Sequence, residues 1–272
     1  NKIHFSNGIG ELNQAIHRLK FDEHFFLQLL MALRKRSLQH SGSLPLPDIG
    51  PYFKLISETL DFELTDAQKK VIKEIHSDLK NSVPMNRLLQ GDVGSGKTIV
   101  SILISALAVG NNAQVAMMVP TEILATQHFH SFKSELEKVN IPCALLVGNM
   151  KKLDRSPILA GLENGKIPMV IGTHALIQED VNFKNLGLVI VDEQHRFGVN
   201  QRAKLVEKGN NPHFLAMTAT PIPRTLSITY HGDMDLSIID EMPANRIPVV
   251  TKVVEPSRLG KVYKFIKDEV AA

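Results

Sequence analysis

The sequence predicts an α/β protein with a mainly parallel sheet, preceded by a small helical segment, and three observations carry that prediction. Leu88-Leu89-Gln90 runs into the glycine-rich stretch Gly91-Asp92-Val93-Gly94-Ser95-Gly96-Lys97-Thr98, which leads into the apolar stretch Ile99 to Ala108. Strand-like apolar runs then alternate with helix-period stretches, as a parallel sheet with crossover helices demands. Leu186 to Val191 is an unbroken apolar run, the mark of a central strand buried on both faces.

Residues 1 to about 60 read as helices and linker. Leu12, Ile16 and Leu19 share one face of a first helix. A second, from Asp22 as N-cap to Arg36, carries Phe25, Phe26, Leu29, Leu30 and Leu33. Leu38 to Pro51 reads as a linker from its serines, prolines and glycines. The next helix opens near Phe62 and runs to about Leu79, with Val71, Ile72 and Ile75 inward. Strands follow at Gln114–Val119, Cys143–Val147, Met169–Gly172, Leu186–Val191 and Phe214–Met217. Helices are expected at Glu122–Lys138, around Ile158–Asn164 and near Asn200–Lys208.

The stretch Gly91 to Thr98 fits G-x-x-x-x-G-K-[ST]. In that pattern successive backbone N–H groups wrap a polyphosphate, Lys97 reaches the outer phosphates and the Thr98 hydroxyl coordinates magnesium. Gly91, Gly94 and Gly96 are expected to let the backbone approach and to take positive φ. The following helix adds the positive end of its dipole to the anion site. Ligands of such sheets sit beyond the carboxyl ends of the strands. Asp192 and Glu193, which end the central strand, therefore emerge where the phosphate loop points. Asp192 is placed to hold magnesium and Glu193 to orient and deprotonate an attacking water. His195 follows as a candidate for sensing the γ-phosphate.

Gln68 has two readings. Its spacing from Thr65 is that of a capping box, and its amide also suits the N6 and N7 edge of adenine. Thr121 and Glu122 after Pro120, and Thr173 and His174 after Gly172, end strands in small polar residues with free N–H groups, a chemistry that suits nucleic-acid phosphates. Thr218 and Thr220 end another strand and are candidates for relaying nucleotide state. Ordinary capping and turn formation account for the same hydroxyls.

Composition bounds the rest. With 43% hydrophobic residues the 272-residue chain can bury a large core, and a formal charge of +3 neither argues for nor excludes a nucleic-acid partner. The single Cys143 permits no internal disulfide and fits a reducing compartment. The N-terminus lacks the pattern of a secretory leader and no apolar run approaches bilayer length, so a soluble intracellular protein is expected.

In this order the segments from Gln68 to Thr218-Ala219-Thr220 resemble superfamily 2 helicase motors. The wording of Ile190-Val191-Asp192-Glu193-Gln194-His195-Arg196-Phe197-Gly198-Val199 and of Ala219-Thr220-Pro221-Ile222-Pro223-Arg224-Thr225-Leu226 is most similar to RecG-type DNA helicases. Transcription-repair coupling factors share much of it, and a nucleotide-dependent protein switch is the reading from a different class. The resemblance implies a RecA-like P-loop NTPase lobe, with ATP and Mg2+ as cofactors and branched or forked DNA as partner. It implies a monomer in the bacterial cytoplasm, associated with the nucleoid, acting in DNA repair and recombination. It assigns residues 61–245 to a first motor lobe and 246–272 to the link and the start of a second, and it leads us to expect a fragment that lacks the second lobe and a wedge domain.

Overall fold

The computed structural model describes residues 3–5, 8–38, 42–220, 234–243, 251 and 253–271. Seven parallel strands form one sheet: β1 (Asn86–Gly91), β2 (Gln114–Met118), β3 (Cys143–Leu146), β4 (Met169–Gly172), β5 (Leu186–Asp192), β6 (His213–Thr218) and β7 (Asp235–Ile239). Their order is β3-β4-β2-β5-β6-β1-β7. The carboxyl ends of all seven strands therefore lie along one edge.

Helices cover both faces. The crossovers are α4 (Lys97–Gly110), α5 (Glu122–Glu137), α6 (Lys152–Glu163) and α7 (Val199–Val206), with α2 (Gly50–Glu58) and α3 (Asp66–Leu79) ahead of the sheet. Side chains of a strand alternate between faces, and the core divides accordingly. Leu89, Val115, Met117, Leu188, Ile190, Leu215 and Met217 pack with α2 to α5. Leu88, Ala116, Met118, Val189, Val191 and Ala216 pack with Leu162 of α6 and Leu205 of α7. Each fully buried Leu or Ile contributes about 1.5–3 kcal/mol through removal from water. Nine successive residues of α4, Val100 to Ala108, are buried, because α4 lies between the sheet and the layer formed by α2, α3 and α5. That explains why its sequence is apolar nearly all round.

The α/β reading with a mainly parallel sheet holds, and the sheet is parallel in every described ladder. The N-terminal helices require correction. One helix, α1, spans Ile9–Leu38. Asp22 is not a cap; its carboxylate takes the Arg18 guanidinium one turn back. No proline interrupts this stretch, and a carboxylate satisfied from its own helix gives no reason to stop there. The expected linker also ends early, since Pro51 opens α2, where its fixed φ and missing N–H cost nothing.

Residues 42–49 cross the sheet edge opposite the strand carboxyl ends. Ser43 and Leu46 donate backbone N–H groups to Ser82 and Leu79 carbonyls. Leu46 is fully buried. Beneath this strap, His213 Nδ1 accepts from the Met85 N–H at 3.0 Å, so its Nε2–H donates to the Leu44 carbonyl at 2.8 Å. Burial lowers the His213 pKa, with the Leu44 carbonyl and Asp78 opposing that shift.

The sheet gains a strand that the sequence reading missed. β7 pairs with β1 at the edge, and its central Ser237 is buried because the hydroxyl donates to Glu74 and accepts from Arg87. Arg87 also holds Asp78 at 2.7–2.8 Å, tying β1, α3 and β7 together. Beyond the sheet, α8 (Leu259–Ala271) exposes Tyr263 and Phe265.

Candidate functional site

Gly91 ends β1, the loop from there to α4 holds Asp92 to Gly96, and Lys97 and Thr98 form the first turn of α4. Gly94 (φ 80°) and Gly96 (φ 91°) have positive φ, as expected. Gly91 does not, which corrects that part of the reading. Space is its constraint, because a Cβ there would stand 2.5 Å from Ser95 Oγ and 3.2 Å from Ile239 Cβ. The Asp92 carboxylate accepts from the Val93 N–H at 2.7 Å, and the Asp92 carbonyl from the Ser95 N–H at 3.1 Å. Val93 itself points outward. The loop is thus closed on itself around its own backbone.

Lys97 reaches back across this loop. Its Nζ donates to the carbonyls of Gly91 at 2.6 Å and Asp92 at 3.0 Å. Burial lowers its pKa, opposed by the charges of Asp192, Glu193 and Asp92. Asp192 at the end of β5, Glu193 after it and the lysine of α4 therefore share one electrostatic neighbourhood, although the acids and the lysine are far apart in sequence.

Strand register explains how they meet. Asp192 ends β5 opposite Met217 of β6, and Thr218 of β6 lies opposite Gln90 of β1. With strands about 4.8 Å apart, Asp192, Thr218 and the phosphate loop span roughly 10 Å of one edge. Glu193 adopts a left-handed conformation, φ 51° and ψ 53°, which costs a non-glycine residue about 1–2 kcal/mol. Its carbonyl starts the Gln194–Arg196 3₁₀ turn by accepting from the Arg196 N–H at 2.8 Å. Gln194 is buried, and the His195 side chain lies outside the described residues. Thr218 is buried, and its Oγ1 lies 2.8 Å from Thr220 Oγ1. Pro221 to Leu226 lie outside the described residues.

Gln68 shows the capping geometry in full. Its Oε1 accepts from the Thr65 N–H at 2.9 Å, and Thr65 Oγ1 accepts from the Gln68 N–H at 3.2 Å. The remaining amide nitrogen donates to the Ser95 carbonyl at 2.8 Å, so the cap of α3 also grips the phosphate loop. A side chain at Gly96 would overlap that amide. Glu241, just after β7, adds a second cap by accepting from the Ala67 N–H at 3.0 Å. A cavity of about 930 Å³ opens beside the loop, lined by Phe62, Gln68, Gly94, Thr98, Ile99 and Pro243 among others.

The remaining candidates occupy the other half of the same edge. Thr121 is exposed and caps α5, its hydroxyl accepting from the Leu124 N–H at 3.2 Å. Glu122 and His174 both approach Gly148, in the loop after β3, since a Cβ there would lie 3.6 Å from Glu122 Oε1 and from His174 Nε2. Thr173 is 2% exposed and its hydroxyl has no hydrogen-bond partner; its N–H, expected to be free, donates to the Leu146 carbonyl at 3.3 Å because the loop after β4 packs against the end of β3. Three strand-end loops therefore converge here, with the nucleotide-type residues on the β5, β6 and β1 side.

One residue absent from the sequence reading belongs to this site. His128 of α5 places Nε2 2.9 Å from Asp192 Oδ2, and both side chains are nearly buried, at 12% and 13% exposed. No spacing in the sequence announces it, since the two lie 64 positions apart.

Comparison with known proteins gives the family and the fold. Residues 65–228 match the DEAD/DEAH box helicase family. The chain belongs to that family. Its curated relatives include the ATP-dependent DNA helicase RecG of Synechocystis, 48% identical over 99% of this chain and 33% of the relative. RecG of Thermotoga maritima is 46% identical over 98% of this chain and 34% of its own length. This DEAD/DEAH box chain thus spans about a third of the length of those two relatives. Among solved structures, RecG bound to a three-way DNA junction superposes with a TM-score of 0.85 at 44% identity, covering 99% of this chain and 36% of that one. The helicase MrfA bound to DNA shares the fold alone, with a TM-score of 0.59 at 17% identity.

Lys97, Thr98 and Asp192 are the groups that could hold a nucleotide and its cation. The Lys97 ammonium now bonds to loop carbonyls, the same reach that a phosphate oxygen would satisfy. Magnesium is commonly held by one or two protein oxygens together with substrate phosphates and water. Thr98 and Asp192 suit that pattern, which needs no protein cluster of three ligands, and none occurs among the described residues. No described helix is long and apolar enough to cross a membrane.

Proposed function

We propose that this chain is the ATP-binding first motor lobe of a DNA helicase or translocase that remodels branched DNA, including stalled forks, in recombination and repair. The observation that carries the reading is the meeting of Lys97, Asp192 and Glu193 at the carboxyl edge of the sheet, beside a glycine-rich loop. Bound Mg2+ would neutralise charge on the phosphates. Lys97 exchanges its two backbone carbonyls for β- and γ-phosphate oxygens, while Thr98 and Asp192 hold the cation. Glu193 orients the attacking water and accepts its proton. Gln68 exchanges the Ser95 carbonyl for the adenine edge, and Phe62 beside it offers an apolar wall to the base.

Thr121, Glu122 and His174 meet DNA phosphates on the other half of the edge, with the buried Thr173 behind them, and Thr218, Thr220 and His195 relay the state of the γ-phosphate. Residues 61–245 carry the motifs of the proposed lobe, and 246–272 are proposed as the link and the start of a second. The place of action is the DNA of a bacterial cytoplasm. Support for DNA as the partner comes from the relative solved on a three-way junction. Turnover coupled to movement is proposed for a protein of the relatives' length.

A fluorescent ATP analogue titrated into the chain tests the nucleotide site. Lys97→Ala removes a charged hydrogen bond of about 1.5–3 kcal/mol, so affinity should fall by roughly 10- to 150-fold. Equal affinity in the variant would remove the phosphate loop from the reading.

A further inference from the structure

The contact between His128 and Asp192 is unexplained by the fold alone. His128 lies two turns into α5, on the side facing the end of β5. Its ring is set by packing as well as by the hydrogen bond, because the fully buried Phe132, one turn later on the same helix face, meets it edge-on with centroids 6.4 Å apart. Ala125, Phe132 and Leu136 root the helix in the core. The imidazole is therefore a fixed object, and the carboxylate oxygen against it is fixed in turn.

We propose that His128 is a positioning residue for the phosphate-transfer site, committing Asp192 Oδ2 to its ring N–H and leaving Oδ1 for the cation that accompanies ATP. The inference rests on the nucleotide reading above and assigns that site a residue outside the phosphate loop and the acid pair. A carboxylate free to rotate has to be ordered each time a cation binds. One already held by a donor presents a single oxygen in one direction, and loss of such an outer partner commonly costs 10- to 100-fold in metal affinity. The same contact joins two functions of the edge. Thr121, the proposed DNA contact, caps the helix that carries His128, and seven residues of helix rise about 10 Å. A displacement of the α5 N-terminus by DNA is transmitted along this rigid element to the oxygen that meets the cation.

The test uses the 272-residue chain and measures affinity for a fluorescent ATP analogue across a Mg2+ titration, with three variants. His128→Ala removes both ring and donor, His128→Gln keeps a donor near the Nε2 position, and His128→Phe keeps the ring volume without a donor. Thermal melting identifies any variant that fails to fold, and the Gln and Phe pair decides the question without the Ala variant. The proposal predicts that Ala and Phe raise the Mg2+ concentration at half-effect by about 10- to 100-fold, that Gln restores it, and that metal-free affinity stays as in the wild type. A wild-type Mg2+ requirement in the Phe variant, or an equal loss with and without metal in the Gln variant, would show that the ring only packs and would overturn the proposal. A wild-type chain whose nucleotide affinity ignores Mg2+ likewise overturns the proposal, whereas one that binds no nucleotide at any Mg2+ concentration overturns instead the nucleotide reading beneath it; both outcomes are visible before any variant is made.

Discussion

At the residue scale the site depends on charges whose partners change. Lys97 is held by two carbonyls, and three nearby acids oppose the lowering of its pKa by burial. Glu193 sits in a strained left-handed conformation at the end of a buried strand. Replacing it by Gln retains the shape and removes the proton acceptor. In a protein of the relatives' length, Glu193→Gln should lower ATP turnover by about 10²- to 10⁴-fold while ATP stays bound; turnover at the wild-type rate in a phosphate-release assay would exclude Glu193 as the base. His213 makes a different prediction. Its folded pKa lies below the ordinary histidine value, so the unfolded chain binds the extra proton first as pH falls. The contribution to stability is present in full above about pH 6.5 and declines below it towards the lowered folded pKa, by up to about 1.4 kcal/mol per pH unit. Urea unfolding at pH 7.5 and 5.0 should show this loss, and His213→Asn should flatten that part of the slope. An unchanged slope would place the proton elsewhere.

At the element scale, α3 shows how a local motif acquires a distant task. Thr65 and Gln68 were legible as a capping box, and the box is formed. The sequence left the cap and adenine recognition as rival roles. In the structure the cap occupies Gln68 Oε1, while the amide nitrogen is the atom on the phosphate loop. Thr65→Ala should cost about 1 kcal/mol of stability by thermal or chemical unfolding and should also weaken ATP binding, because the cap orients the amide. A stability loss with unaltered affinity would confine the pair to capping. The central strands and the crossover helices were legible because burial on both faces leaves a plain apolar signature. β7 was not, since its buried Ser237 is polar and is satisfied only by Glu74 and Arg87 from elsewhere in the chain. The single long α1 was also missed, because Asp22 reads as a cap in any linear scan and only the contact with Arg18 reveals otherwise.

At the scale of the whole molecule, one sheet edge gathers nearly every residue singled out from the sequence, because parallel strands all deliver their carboxyl ends to the same side. Gly91 to Thr98, Asp192, Glu193 and the hydroxyl-bearing strand ends were legible as motifs, whereas their adjacency required the strand order. His128 could be found only from the fold, since its partner is brought near by the β2 to β5 pairing and the path of α5. The central claim is that this edge holds Mg-ATP between the loop and the acid pair. Its most direct test is a crystal structure of the chain grown with Mg2+ and a non-hydrolysable ATP analogue. The account predicts the γ-phosphate on Lys97 Nζ, released from the Gly91 and Asp92 carbonyls, with the cation between Thr98 and Asp192 and with His128 still on Asp192 Oδ2. A triphosphate bound elsewhere, or Lys97 still on its two carbonyls with nucleotide present, would contradict it.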